Sequence, residues 1–249
     1  MTATLLAQLP LPAQGGGFVR EPGEGQTSCV AENTTVCVAW AFDNFDRWVT
    51  PTLEHLLLVS ASVAAGFAIA FGLALLSYGR RWLVPAFIGA TGVIYTIPSI
   101  ALFLILLPIT GRGTVTAIIA LTLYNLQIIY RNIVTGLANV PEASKDAGRG
   151  MGMTRRQLLW RVELPLAIPE IIAGLRIATV STVAIATLAI FAGAGGLGQV
   201  IYNDGLQNDV FKTAIVVGSG LAIAMAVCFD MFYLAGQRAI SPWRRVRPI

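Results

Sequence analysis

PEASKDAGRGMGMTRRQLLWRVELPLAIPEI, residues Pro141 to Ile171, is the one long polar stretch in an otherwise oily chain. It carries five cations (Lys145, Arg149, Arg155, Arg156, Arg161) and four anions (Glu142, Asp146, Glu163, Glu170). Apolar runs long enough to cross a bilayer flank it on both sides. Ionised side chains at the centre of a membrane helix cost several kcal/mol each, so this segment reads as a folded loop on one face of a membrane. Inside it, Pro141 suits a first helical turn, and Glu142 follows where a carboxylate meets the positive end of the helix dipole. Gly148, Gly150 and Gly152 are expected to break the chain. Thr154 and Gln157 then have the spacing of a capping box, starting a second helix, QLLWRVEL, expected to end near Pro165.

Composition agrees with a membrane class. Of 249 residues, 55% are hydrophobic and 12% charged, with a mean hydropathy of +0.71; soluble domains carry about 25% charged residues. Working outward from the loop, five spans are expected. They run over about 52–77, 83–108, 114–133, 171–192 and 211–235. The second is interrupted at Tyr95-Thr96-Ile97-Pro98-Ser99, where proline removes a helical hydrogen bond; such breaks survive at membrane depth where protein or a cavity satisfies the freed groups. With the loop inside, the cations inside are all of the 17 Lys and Arg except Arg20, Arg47, Arg112 and Lys212. This asymmetry follows the positive-inside rule and puts the amino terminus outside and the carboxy terminus in the cytoplasm. Three divisions follow: an extracytoplasmic tail (1–50), a permease domain (51–240, with its loop at about 137–170) and a basic cytoplasmic tail (241–249).

The tail is polar and Gly/Pro-rich and is expected to be loosely ordered until WAFDNFDRW, whose Trp40, Phe42, Phe45 and Trp48 suit a membrane interface. Cys29 and Cys37 either close a small disulfide loop outside the cytoplasm or stay two thiols. Tyr95, Pro98 and Ser99 at the broken helix, with Tyr124 and Asn125 on the third span, are the candidates for a substrate pathway. For Tyr124, Asn125 and Gln127, hydrogen bonding between helices is the competing use. His55 and Glu54 read as markers of the outer interface, and Asp230 as a structural ion pair or hydrogen bond.

Several functions are excluded or weakened by the same residues. Three cysteines and a single histidine match no zinc or haem spacing, so no metal site is expected. No basic face with interleaved aromatics suggests nucleic acid. Gly193-Ala194-Gly195-Gly196-Leu197-Gly198 fits G-x-G-x-x-G but follows a membrane span instead of a strand, so it fails as a dinucleotide site. G-x-x-x-x-G-K-[ST] is missing from the sequence, so the chain is not expected to hold ATP. A membrane-embedded enzyme would need an acid, base or nucleophile cluster, which one interfacial histidine and a lone Asp230 do not supply, and a channel, which would need a filter or intramembrane charges, would leave the pattern of the polar loop unexplained.

The loop resembles the coupling loop of the membrane subunits of binding-protein-dependent ABC importers. The family pattern is E-A-A, three residues, G, nine residues, I-x-L-P. Here Asp146-Ala147-Gly148 stands for E-A-A, Gly152 for the glycine, and Val162-Glu163-Leu164-Pro165 for the end. Asp for Glu, Gly for the second Ala and Val for Ile are departures, yet a carboxylate, small residues and a proline remain. TIPSIAL, ELPLAIPEIIAGLR and FAGAGGLG look most like the osmoprotectant branch, which serves glycine betaine, carnitine, choline and related quaternary amines. The resemblance implies an all-α integral membrane protein with the MetI-like permease fold and five transmembrane helices. It implies no catalysis by this chain. The implied partners are a second or sister permease, an ATPase dimer carrying ATP and Mg, and an extracytoplasmic solute-binding protein. All would assemble at a bacterial cytoplasmic (inner) membrane. The implied ATPase-coupling residues are Glu142, Asp146, Ala147, Gly148, Gly152, Thr154, Leu164 and Pro165. The alternatives are a permease for another small solute, such as an amino acid, or a transporter or channel without ATP coupling.

Overall fold

The structure, a computed structural model, describes Asn33 and residues 36–80, 82–207 and 210–240. The described residues form helices joined by turns and short irregular links, with no strand among them. In chain order they form α1 (Val38–Asp43), α2 (Asp46–Ser77), α3 (Leu83–Thr96), α4 (Ser99–Thr110), α5 (Thr114–Ala138), α6 (Glu142–Gly150), α7 (Arg155–Leu158), α8 (Leu164–Ala186), α9 (Leu197–Gln199) and α10 (Lys212–Ile240). A π-helical turn, Leu159–Glu163, joins α7 to α8, a 3-10 stretch, Thr187–Ala192, ends α8, and a second π turn, Val200–Leu206, follows α9. By length and hydropathy, α2, α5, the run Arg155–Ala192 and α10 can each cross a membrane. The pair α3 and α4, bent by 95°, adds a fifth crossing if counted as one span.

The break in the second apolar run falls where the sequence puts it. Proline lacks an N–H and forces the preceding residue toward extended backbone; Ile97 is extended, with φ −68° and ψ 129°, and Pro98 caps α4. Residue 50 lies inside α2, and α1 precedes it, with a turn at Asn44–Phe45 between the two helices. Three other expectations need correcting. Trp40 and Trp48 face inward instead of toward lipid, Trp40 packing edge-on to both Trp48 and Phe211, while Phe42 and Phe45 stay exposed. Gly148 does not break α6, which continues to Gly150; the turn is made at Gly152 with φ +77°. No helix ends at Pro165, and none begins at Ile171: α8 runs from Leu164 to Ala186. Proline is accepted in a first turn, where the N–H has no helical partner, and here the π turn before it resets the register.

Two apolar cores stack along α2. One centres on Leu58, Phe103, Tyr124 and Val183, and the other, nearer the polar loop, on Ala70, Ile129, Tyr130 and Ala167. The helices α5 and α8 cross closely because each supplies a glycine. A β-carbon at Gly136 would lie 2.9 Å from Glu170 Cβ, and one at Gly174 would press into Asn132. Small residues let membrane helices approach in this way. A third, smaller core of Cys37, Trp40, Trp48, Val200, Phe211 and Ala214 lies at the far end from the loop.

Candidate functional site

The polar loop folds into a compact two-helix unit. In α6, Arg149 Nη1 donates to Glu142 Oε1 (2.9 Å) and Asp146 Oδ1 (2.7 Å), and Lys145 pairs with Glu142 at 3.3 Å. The Arg149 guanidinium, then the Lys145 ammonium, hold the Glu142 carboxyl below its ordinary range. These groups are solvent-exposed, and such pairs contribute little to stability; they set the pattern of charge on the outer face of α6. Gly148 is buried because α7 folds back over it: a β-carbon there would lie 2.6 Å from Leu158 Cδ1. The bend is made by Gly152, whose left-handed φ of +77° suits a residue without a side chain. The capping box forms as expected. The Thr154 N–H donates to Gln157 Oε1 (2.8 Å), and the Gln157 N–H to Thr154 Oγ1 (3.4 Å).

Between the two arms lies an open hollow of about 430 Å³, lined by Ser144, Ala147, Arg161, Val162, Pro165 and Leu166. Ala147 and Pro165, from the two ends of the sequence pattern, therefore meet at one surface. Glu142 and Asp146 are on the exposed face of α6, and Leu164 is buried in the inner core. Gly152 and Thr154 shape the bend. An exposed helical pair with an open, largely apolar hollow between its arms suits the insertion of another protein's side chains.

The buried anchor beneath this surface involves residues the sequence reading missed. Glu163, in the π turn, is buried, and Tyr78, just past the end of α2, donates to its Oε1 at 2.9 Å. Burial, reinforced by that carboxylate, pushes the Tyr78 phenol up to about 12, so it stays a donor at neutral pH. The Arg155 guanidinium lies 5.2 Å from the Tyr78 ring centroid, a cation–π contact. Trp160 meets Phe71 edge-on. Glu163 sits at the unspecified position of I-x-L-P, so no local pattern distinguished it.

The pathway candidates separate into two groups. Tyr95 and Tyr124 meet edge-on, with centroids 5.7 Å apart, beside the break formed by Pro98 and Ser99. Tyr124 Oη donates to Ile97 O, a carbonyl left free by the broken helix. Tyr95 keeps 43% of its surface exposed. Asn125 is not part of this cluster: it is buried, and its Oδ1 accepts from Thr182 Oγ1 at 2.8 Å. Likewise Gln127 Oε1 accepts from Thr91 Oγ1 at 2.5 Å, so both amides join helices. Asp230 pairs with Arg176, whose Nη2 donates to Oδ2 at 2.9 Å. His55 and Glu54 are no passive interface markers. His55 is fully buried with Nε2 3.1 Å from Val183 O, and Glu54 Oε2 accepts the Gly196 N–H at 2.8 Å. Cys37 is disulfide-bonded and Cys228 is a free thiol; Cys29 lies outside the described residues. No cluster of three or more His, Cys, Asp or Glu able to hold a metal occurs among the described residues.

Residues 57–246 match the family described as binding-protein-dependent transport system inner membrane component. The osmoprotectant import permease protein OsmW of Salmonella typhimurium is 33% identical over 210 residues, 82% of this chain and 97% of the relative. The choline transport system permease protein OpuBD of Bacillus subtilis is 37% identical over 212 residues, 84% of this chain and 89% of the relative. The carnitine transport permease protein OpuCB of Listeria monocytogenes is 36% identical over 192 residues, covering 77% and 87%. Among solved structures, the inward-facing MetNI methionine ABC transporter matches with a TM-score of 0.72 and 25% identity, covering 78% of this chain and 95% of that one. An amino acid ABC transporter solved with histidines shares the fold, with a TM-score of 0.69 at 17% identity, covering 82% and 99%.

Proposed function

Because the chain belongs to the family of binding-protein-dependent transport system inner membrane components, we propose that it is the membrane permease of an ATP-driven importer of osmoprotectants. Its solutes are quaternary amines such as glycine betaine, carnitine or choline. The observation that carries this reading is the 33–37% identity, across most of the chain, to permeases named for those solutes. The fold likeness to a methionine transporter favours an amino acid as the second reading, at lower identity than the osmoprotectant relatives.

In the proposed assembly two permeases form the pathway, and each presents the α6–α7 unit to a separate ATPase that holds ATP and Mg. The hollow bounded by Ala147 and Pro165 receives the ATPase, with Glu142, Asp146, Gly148, Gly152, Thr154 and Leu164 shaping or supporting that face. A solute-binding protein delivers cargo at the opposite face. Five spans, with α3 and α4 together as the second, put the loop in the cytoplasm of a bacterial inner membrane and the amino terminus outside. The disulfide at Cys37 fits that orientation, since such bonds persist in oxidising compartments, and Cys29 is its proposed partner. Tyr95, with Tyr124, Pro98 and Ser99 behind it, lines the pathway; an exposed aromatic face suits a quaternary ammonium. Asn125 serves as a tie between helices. The test is uptake of labelled glycine betaine by a host lacking other betaine importers, with and without the complete system. Uptake only with the system supports the reading. Uptake of methionine or another amino acid in its place favours the second.

A further inference from the structure

The run Arg155–Ala192 connects the docking loop directly to the glycine-rich turn Gly193–Gly198 at the opposite end of the molecule. It is a continuous helical run with two departures from α geometry, the π turn Leu159–Glu163 and the 3-10 stretch Thr187–Ala192. Such stretches are where a helix yields, since their hydrogen bonds are poorer and they recur at hinges. A push at the loop would be absorbed there unless something bridges them.

The first span bridges both. At the loop end, Tyr78 holds Glu163, the last residue of the π turn, and carries Arg155 against its ring. Gly79, with φ +76°, turns the chain directly over that guanidinium, which a β-carbon there would displace. At the far end, the switch to 3-10 pairing sends the Thr187 N–H to Ala184 O, three residues back. Val183 O then lies 3.1 Å from His55 Nε2. One residue before His55, the Glu54 carboxylate accepts the Gly196 N–H at 2.8 Å, beyond the 3-10 stretch. Glu54 and Tyr78 are 24 positions apart in a helix of about 1.5 Å rise per residue, roughly 36 Å.

We propose that α2 is a brace: Tyr78 and Glu54 are positioning residues that hold the chain across the two weak points of the run Arg155–Ala192, Tyr78 at Glu163 and Glu54 just past the run at Gly196. Displacement of the docking loop then reaches the Gly193–Gly198 turn without being lost in bending. The inference rests on the importer reading and assigns the transmission to a pair of contacts that need one another. Removing either frees one end and disables the brace, so removing both does little more. Independent sites so far apart would instead act additively in free energy.

The test is a double-mutant cycle in proteoliposomes holding the full importer, read as glycine betaine moved per ATP hydrolysed. Tyr78→Phe keeps the ring beneath Arg155 but loses the hydrogen bond, and Glu54→Ala frees the Gly196 N–H. Each is expected to lower the ratio about fivefold, with the double variant within about twofold of the worse single one; independent effects would compound to roughly 25-fold. Glu54→Gln, which keeps an acceptor oxygen, is expected to hold the wild-type ratio. A role in folding alone would lower complex yield, uptake and hydrolysis together and leave the ratio unchanged; that result, or losses that multiply, overturns the brace while leaving the importer reading intact. A wild-type complex that moves no solute on ATP overturns both.

Discussion

Substitutions at Gly152 separate backbone strain from side-chain crowding at the proposed docking bend. The residue has φ +77°, and a β-carbon there would meet nothing within 4 Å. Crowding therefore contributes little, and the cost is that of left-handed backbone. For ordinary residues this is about 1–2 kcal/mol, whereas Asn and Asp visit the region more readily. The free loop escapes the strain by adopting another bend, and docking must restore the bend seen here. Apparent affinity falls by the fraction of loops in the competent form. A strain of 1–2 kcal/mol corresponds to roughly 5- to 30-fold, since 1.4 kcal/mol is about tenfold. Titration of the ATPase against detergent-solubilised permease is expected to show Gly152→Ala weaker by about 5- to 30-fold and Gly152→Val weaker still, with Gly152→Asn within a few-fold of wild type. Equal affinity for wild type and Gly152→Ala, or Asn weaker than Ala, would refute the strain argument. Gly152→Asp is the informative extra: with its backbone tolerated, any large loss comes from its charge at the docked face.

Three further outcomes follow from specific contacts. Gly136→Ala forces apart the α5–α8 crossing, and overpacking of this kind costs about 1–3 kcal/mol; the solubilised permease should melt several degrees lower, whereas Gly220→Ala, whose added carbon meets nothing within 4 Å, should not. Glu142 titrates below its ordinary 4.5 because Arg149 and Lys145 favour its charged form. A lowered folded pKa gives stability that is present above the ordinary value and lost as pH falls through the folded one, so the protection factors of α6 amides, exchange rates taken relative to the intrinsic rate at each pH, should be flat from about pH 6 to 8 and fall only under acid below the ordinary value. Finally, a reductant or Cys37→Ser should lower the melting temperature, since native disulfides are typically worth about 2–4 kcal/mol. Reductant added to Cys37→Ser should then change nothing further.

Local chemistry made much of this molecule legible from sequence. Charge density marked the loop, Thr154 and Gln157 marked the start of α7, and Pro98 marked the bend between α3 and α4. Those signals act within a few residues, where backbone geometry is decided. What escaped depends on partners distant in the chain. Glu163 was an unspecified position in a pattern until Tyr78 faced it, and Glu54 and His55 took their meaning from Gly196 and Val183. Trp40 and Trp48 suit a bilayer interface by composition, but Phe211 gives them an interior to fill. Pro165 was read as a stop because the rule against proline in helices assumes unbroken α pairing, and the π turn removes that condition. The exposed ring of Tyr95 was not separable from a lipid-facing aromatic by sequence, because both leave the same signature.

The most direct measurement is uptake of labelled glycine betaine into proteoliposomes containing this permease, its ATPase and its binding protein, with ATP or a non-hydrolysable analogue inside. The account predicts accumulation with ATP alone, competed by unlabelled carnitine or choline and lost when the binding protein is withheld. Accumulation independent of ATP, or ATP hydrolysis with none of these solutes moved, would contradict it.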